Sequence, residues 1–167
     1  MSQRTALSGL AGAACPTSQR PAQRFRREDS RSSAGAPKTE AEAPILVVED
    51  DFLVALQVEA ALTDAGFALV GTATSGEEAI QMAAAARPAV VLMDIRLAGE
   101  MDGVDAALAL FRDHGIRCIF ATAHHDSEVR RRAAAAEPLG WLQKPYTMPA
   151  MVTALRHALA DLDQDSN

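Results

Sequence analysis

From residue 44 onward, short unbroken apolar runs alternate with longer stretches in which apolar residues recur at helical spacing. Residues 45–49 form the first run, of the kind presented by a strand buried on both faces. Residues 52–65 follow as a helix, with Leu53, Leu56 and Ala60 read as its inward stripe, Gln57 and Asp64 as outward positions and Gly66 as the stop. A second strand is predicted over 68–73. Ser75 with Glu78 three residues on is a capping-box signature, opening a helix that carries Ile80, Met82, Ala83 and Ala86 and ends at Pro88. Residues 89–93 predict a third strand, 103–114 a helix with Val104, Ala107, Leu108 and Phe111 in register, and 116–121 a fourth strand. Asp126 is placed to cap a fourth helix whose apolar stripe is only Val129, Ala133 and Ala136, beside a solvated triplet of Arg130, Arg131 and Arg132. A fifth strand over 140–143 and a last helix over 148–162, with Val152, Leu155 and Leu159 inward, complete the pattern.

Strict alternation of five strands with five helices predicts an α/β fold, a doubly wound parallel sheet covered by helices on both faces. A strand order of 2-1-3-4-5 makes the first and third strands neighbours at the switch point, where their carboxyl ends open into one crevice. The folded domain is expected over residues 44–162, with a short C-terminal tail over 163–167. Residues 1–43 have no period and are rich in Ser, Ala, Gly, Arg and Pro, so they are expected to be a disordered tail.

Charge sharpens the division. The tail holds seven Lys or Arg against four Asp or Glu, whereas the remainder holds nine against eighteen. A domain that acidic is a poor binder of nucleic acid, whose phosphates need clustered cations, and a plausible host for a divalent cation. Cys15 and Cys118 have no metal-ligand spacing and no disulfide framework is indicated, which favours a reducing compartment. No apolar run has the length of a membrane span, and a cytoplasmic location is expected.

The candidate chemistry lies at strand ends. Glu49 and Asp50 leave the first strand and Asp94 leaves the third, so the topology brings three carboxylates together from distant positions. Their mutual repulsion calls for a cation, and an all-oxygen site with open positions suits Mg²⁺, with Mn²⁺ an alternative. Thr122 ends the fourth strand and Lys144 the fifth, adding a hydroxyl and an ammonium. Such a set suits phosphoryl transfer onto a carboxylate.

Four pieces in order, ILVVEDD at 45, VVLMDIRLAGEMDG at 90, IFATA at 119 and WLQKPY at 141, resemble the receiver domain of two-component response regulators over residues 45–160, a flavodoxin-like fold. The resemblance implies Asp94 as phospho-acceptor. Glu49, Asp50, Asp94 and the backbone carbonyl of Arg96 would be the Mg²⁺ ligands, Lys144 would pair with the phosphoryl oxygens, and Thr122 would hydrogen-bond one of them. It also implies a cis bond between Lys144 and Pro145, and Trp141 as an aromatic switch that answers Thr122 by turning inward. Arg96 and His124 flank the path of attacking water and are expected to set the lifetime of the phosphorylated state. Three departures stand out: Ala98 occupies a position where the family usually has Pro, residues 99–101 lengthen the loop after Asp94 by one, and Glu137, Pro138, Leu139 and Gly140 replace the usual Gly and Ala approach to the fifth strand.

The function expected is a stand-alone receiver that takes a phosphoryl group from a histidine kinase or His-containing phosphotransfer protein. It would then signal to a downstream protein or through a homodimer, by the fourth helix, fifth strand and fifth helix, or act as a phosphate sink. The chain stops soon after the last helix, leaving no expected room for an output domain. It would be a self-phosphorylating switch, not an enzyme with a separate substrate. A phosphorylation-independent adaptor using the same surface is the alternative. An aspartyl-phosphate phosphohydrolase is disfavoured because Arg96 stands where a second Asp would be the general acid.

Overall fold

In chain order the elements are β1 (Pro44–Val48), α1 (Phe52–Asp64), β2 (Ala68–Ala73), α2 (Gly76–Ala86), β3 (Val90–Asp94), α3 (Gly103–His114), β4 (Cys118–Thr122), α4 (Ser127–Ala133), β5 (Gly140–Gln143) and α5 (Met148–Asp165), with one 3-10 turn, Ala134–Ala136, after α4. The computed structural model describes residues 43–123 and 127–165, so the expected tail (except Ala43), His124 and the Asp126 cap lie outside the described residues. The strands form one parallel sheet in the order β2-β1-β3-β4-β5, as the alternation predicts.

The sheet is the core's mid-plane. On one face Ile45, Val47, Val90, Leu92 and Ile119 pack with α1 and α5; on the other Leu46, Val48, Val91, Met93 and Phe120 pack with α2, α3 and α4. This period of two along strands buried on both faces explains their unbroken apolar runs. Fully burying each such side chain contributes about 1.5–3 kcal/mol. β2, at the edge, is only partly buried along most of its length.

Register turns this packing into site geometry. Val48 pairs with Met93, Asp94 with Ala121, and Thr122 with Gln143. The carboxyl ends of β1, β3, β4 and β5 therefore finish side by side, with Glu49, Asp94, Thr122 and Lys144 at or just beyond them.

Three expectations change in detail. The buried face of α1 is Ala55, Val58 and Leu62, not the stripe of Leu53, Leu56 and Ala60. The helix is apolar on both sides, and its orientation is fixed by Gln57, Glu59, Thr63 and Asp64, which all lie on the arc opposite Val58. α5 continues to Asp165, past the expected tail boundary, where Arg117 at the start of β4 donates to the Asp165 carboxylate at 3.1 Å. In the predicted capping box Ser75 does accept from the Glu78 amide, but Glu78 reaches back to the amide and hydroxyl of Thr74 rather than to Ser75 itself.

Gly103 opens α3 directly beneath the end of β3, its N–H donating to the Ile95 carbonyl at 2.9 Å. A Cβ there would stand 1.9 Å from the Asp94 carbonyl oxygen, whereas one on Gly115 would meet open space. Gly103→Ala is therefore expected to cost at least about 3 kcal/mol in urea denaturation. Gly115→Ala, at φ +68°, should cost only the left-handed backbone penalty of about 1–2 kcal/mol. Equal losses in the two variants would contradict the close approach.

Candidate functional site

The segment after β1 contains three successive acids with different surroundings. Glu49 is buried and turned into the sheet end. Asp50 is exposed at the rim. Asp51 instead caps α1, accepting from the amides of Leu53 and Val54 at 2.9 and 3.2 Å, and so is used up locally. Asp94, the last residue of β3, is buried across from Glu49. One carboxylate oxygen from each of Glu49, Asp50 and Asp94 lies within 4.8 Å of the other two, a spacing at which a small hard cation could bridge them.

Lys144, just past β5, closes the cluster. Its Nζ donates to Asp94 Oδ2 at 2.6 Å and to Glu49 Oε2 at 2.8 Å. The Lys144–Pro145 peptide is cis, as the resemblance implies, and the Lys144 amide is bound to the Thr122 carbonyl at 2.7 Å. Burial opposes the charge of Lys144, but hydrogen bonds to Asp94 and Glu49 win and raise its pKa above the usual lysine range. For Glu49 the balance falls the other way: burial, with the neighbouring Asp94 charge, outweighs Lys144 and raises its carboxyl above the usual range. One ammonium thus serves two carboxylates, and Glu49 is left under-compensated.

Beside this cluster lies a cleft of about 170 Å³, lined by Asp94, Ile95, Arg96, Thr122, Ala123, Val129 and Lys144. Thr122 is buried at its floor. Arg96 is exposed at its edge, its amide donating to Asp94 Oδ1 at 3.2 Å. The geometry brings Glu49, Asp50, Asp94, Thr122, Lys144 and Arg96 to one place. Trp141 stands back from it, its ring stacked on Phe120 at 4.9 Å with the Arg130 guanidinium 4.5 Å from the ring centroid. The loop after β3 folds back onto α2, where Met101 fills the space above Gly76.

Two features were missed in the sequence. The first follows from the true orientation of α1: Phe52, Leu53 and Leu56 are 75%, 67% and 51% exposed, an apolar surface at the rim of the acid cluster. It adjoins a groove of about 420 Å³ between α1 and the segment after β5, lined by Val54, Gln57, Lys144, Pro145, Tyr146 and Met148. The polar arc of α1 was the available signal for it. The second concerns the α4 arginines, which engage partners inside the chain: Arg130 meets Trp141, Arg131 meets Glu128, and Arg132 meets Asp102 and Asp105.

An under-compensated carboxylate costs stability until a cation arrives. In metal-free buffer Glu49→Gln is expected to raise the melting temperature by roughly 2–6 °C, the size of about 1 kcal/mol in a domain of this length. Millimolar Mg²⁺ should raise the parent's melting temperature more than the variant's. A lower melting point for the variant without metal would show that Glu49 is fully compensated by Lys144.

The sequence model described as "Response regulator receiver domain" matches residues 45–156. The chain is 28% identical over 128 residues to the transcriptional regulatory protein PdtaR of Mycobacterium tuberculosis, covering 74% of this chain and 62% of that protein. It is 35% identical over 118 residues to the response regulator GacA of Pseudomonas protegens, covering 70% of this chain and 55% of the other. The chain thus spans little more than half the length of these relatives. Among solved structures, the signal receiver domain of a modulated diguanylate cyclase from Desulfovibrio desulfuricans G20 is similar at a TM-score of 0.68 and 32% identity, covering 73% of this chain and 97% of that domain. Receiver domains are phospho-acceptor signalling domains that bind Mg²⁺ in an acidic pocket and work with histidine kinases or phosphotransfer proteins and downstream effectors. The strand order, the acids converging at its switch point and the matched residues together make this chain a member of the response regulator receiver family.

Proposed function

We propose that the chain is a phosphorylation-dependent switch in which Asp94 accepts a phosphoryl group from a phosphohistidine on a histidine kinase or phosphotransfer protein. The observation that carries this reading is the shared Lys144, which bonds both Asp94 and Glu49 while Asp50 completes a triad of acids. Glu49, Asp50, Asp94 and the Arg96 carbonyl would hold Mg²⁺, which when bound neutralises charge on the transferring group. A carboxylate oxygen of Asp94 forms the new bond to phosphorus as the bond to the donor imidazole breaks, and the imidazole leaves with the electron pair. Lys144 pairs with the phosphoryl oxygens, and the Thr122 hydroxyl donates to one of them. Positioning and charge compensation supply the catalysis.

Donor docking is proposed on the exposed apolar surface of α1. A protein presenting a phosphohistidine to Asp94 must cover the rim of the cleft, and Phe52, Leu53, Leu56 and the adjoining groove offer the apolar area for that contact. The output surface remains α4, β5 and α5, where Trp141 serves as the switch residue. Arg96, with His124 from outside the described residues, governs the lifetime of the acyl phosphate. The working compartment is the cytoplasm; among the described residues no helix is long and apolar enough to cross a membrane.

Incubation with a small acyl-phosphate donor and Mg²⁺ is expected to add one phosphoryl group by intact mass, lost in Asp94→Asn and without the metal. No labelling of the folded parent under any of these conditions would overturn the reading. Phe52→Ser combined with Leu56→Ser should slow transfer from a phosphohistidine-bearing kinase domain by about tenfold or more, the effect of losing contacts worth over 1 kcal/mol. Labelling by the small donor should be unchanged, and equal slowing with both donors would place the defect in the site rather than in docking.

A further inference from the structure

The walls of the acceptor cleft are not equally firm. Asp94, Ile95, Arg96, Thr122, Ala123 and Lys144 come from strands held in the sheet or from the one or two residues after them, but Val129 comes from α4. That helix has seven residues, of which only Ala133 is buried, joined by Ala136 of the following 3-10 turn. So short a helix has little stability of its own, and its apolar contact with the core, through Ala133, Ala136 and Val129, is thin. Its polar contacts add to that hold.

Arg132 provides the most specific of these contacts. Its Nη1 donates to Asp102 Oδ2 and its Nη2 to Asp105 Oδ1, each at 2.9 Å, so one guanidinium fork grips two carboxylates on the first turn of α3. Asp102 is already committed through its other oxygen, which caps α3 by accepting from the amides of Val104 and Asp105 at 2.9 Å. Gly103, next in the chain, lies against the Asp94 carbonyl. Arg132 therefore ties α4 to the helix start packed under the acceptor, while Val129, three residues earlier on α4, faces the cleft the acceptor opens into. Partial burial opposes ionisation of Asp102, yet Arg132 and the two amides hold its carboxyl below the usual range, in keeping with a standing ion pair.

We propose that Arg132 is a latch: its pairs with Asp102 and Asp105 hold α4 in its unphosphorylated position, and a phosphoryl group entering the cleft displaces α4 against them. The proposal rests on the reading of Asp94 as acceptor. Among the described elements that line the cleft, α4 has the thinnest apolar anchor, so it is the wall that yields. Arg130, which covers Trp141 from the same helix, moves with it, and the latch thereby sets how readily occupation of the cleft reaches the aromatic residue.

The test titrates the full chain with beryllofluoride, a phosphoryl mimic, in Mg²⁺, read by calorimetry and by the emission of Trp141, the chain's one tryptophan. Two partly exposed ion pairs contribute modestly, so Arg132→Ala should bind the mimic about two- to tenfold more tightly than the parent. Asp105→Asn should fall between them, and the double variant should bind no more tightly than Arg132→Ala alone. A merely structural role would lower the melting temperature and leave the affinity unmoved. An unchanged or weakened affinity in Arg132→Ala, with the parent binding normally, overturns the latch alone. No Mg²⁺-dependent binding to the parent overturns the acceptor reading and the latch with it. Should Arg132→Ala not fold, Arg132→Lys, which lacks the fork, together with Asp105→Asn decides the same question by the same shift.

Discussion

Three carboxylates gather around one ammonium that bonds only two of them, and much of the molecule serves to keep them there. Two unit charges less than 5 Å apart repel by of order 3 kcal/mol in a medium of effective dielectric near 20, more than a surface cluster would normally sustain. Lys144 meets only part of this, bonding Asp94 and Glu49 while the pKa of Glu49 stays raised. The remainder is borne by apolar burial along β1 and β3, whose side chains face helices on both sides and cannot shift register without exposing them. The site is thus a charge imbalance clamped by a hydrophobic sheet, and that imbalance is of the sign that favours a divalent cation.

Around this centre the structure is graded in firmness. The approach of Gly103 to the Asp94 carbonyl leaves no slack on the α3 side, and Asp51 and Asp102 fix the starts of α1 and α3 with side-chain caps. α4 is different: its buried apolar contribution is small, and its neighbours are reached through arginines. Elements with few apolar contacts are those that open or move at low cost. The proposed switch, whose signal would start at a rigid strand end and have to reach a surface, thus has a soft element lying directly beside its source.

Much of this could be read from the residues, for identifiable reasons. Unbroken runs such as residues 45–49, separated by helical spacing, allow few arrangements once crossovers must be right-handed, so the strand order and the meeting of Glu49, Asp50 and Asp94 followed. The face of α1 was not legible from its apolar residues, because Leu53, Leu56 and Ala60 have the same spacing as Ala55, Val58 and Leu62. Its polar residues carried the answer. The end of α5 was missed because its last residues, 163–165, are all polar and carry no apolar stripe; there Asp165 pairs with Arg117, 48 positions away. The partners of Arg132 were hidden in the same way: a run of three arginines reads as a solvated helix face until the fold shows Asp102 and Asp105 opposite it.

The central claim is that the acids at the ends of β1 and β3 form one site for a hard divalent cation. Calorimetric titration of the parent and Asp50→Asn with Mg²⁺ tests it most directly, since Asp50 has no part in the core and its loss leaves Lys144 with both its partners. The account predicts one saturable site per chain in the parent, with affinity sharply reduced in Asp50→Asn at unchanged fold. No saturable binding to the folded parent, or binding indifferent to Asp50, would contradict it.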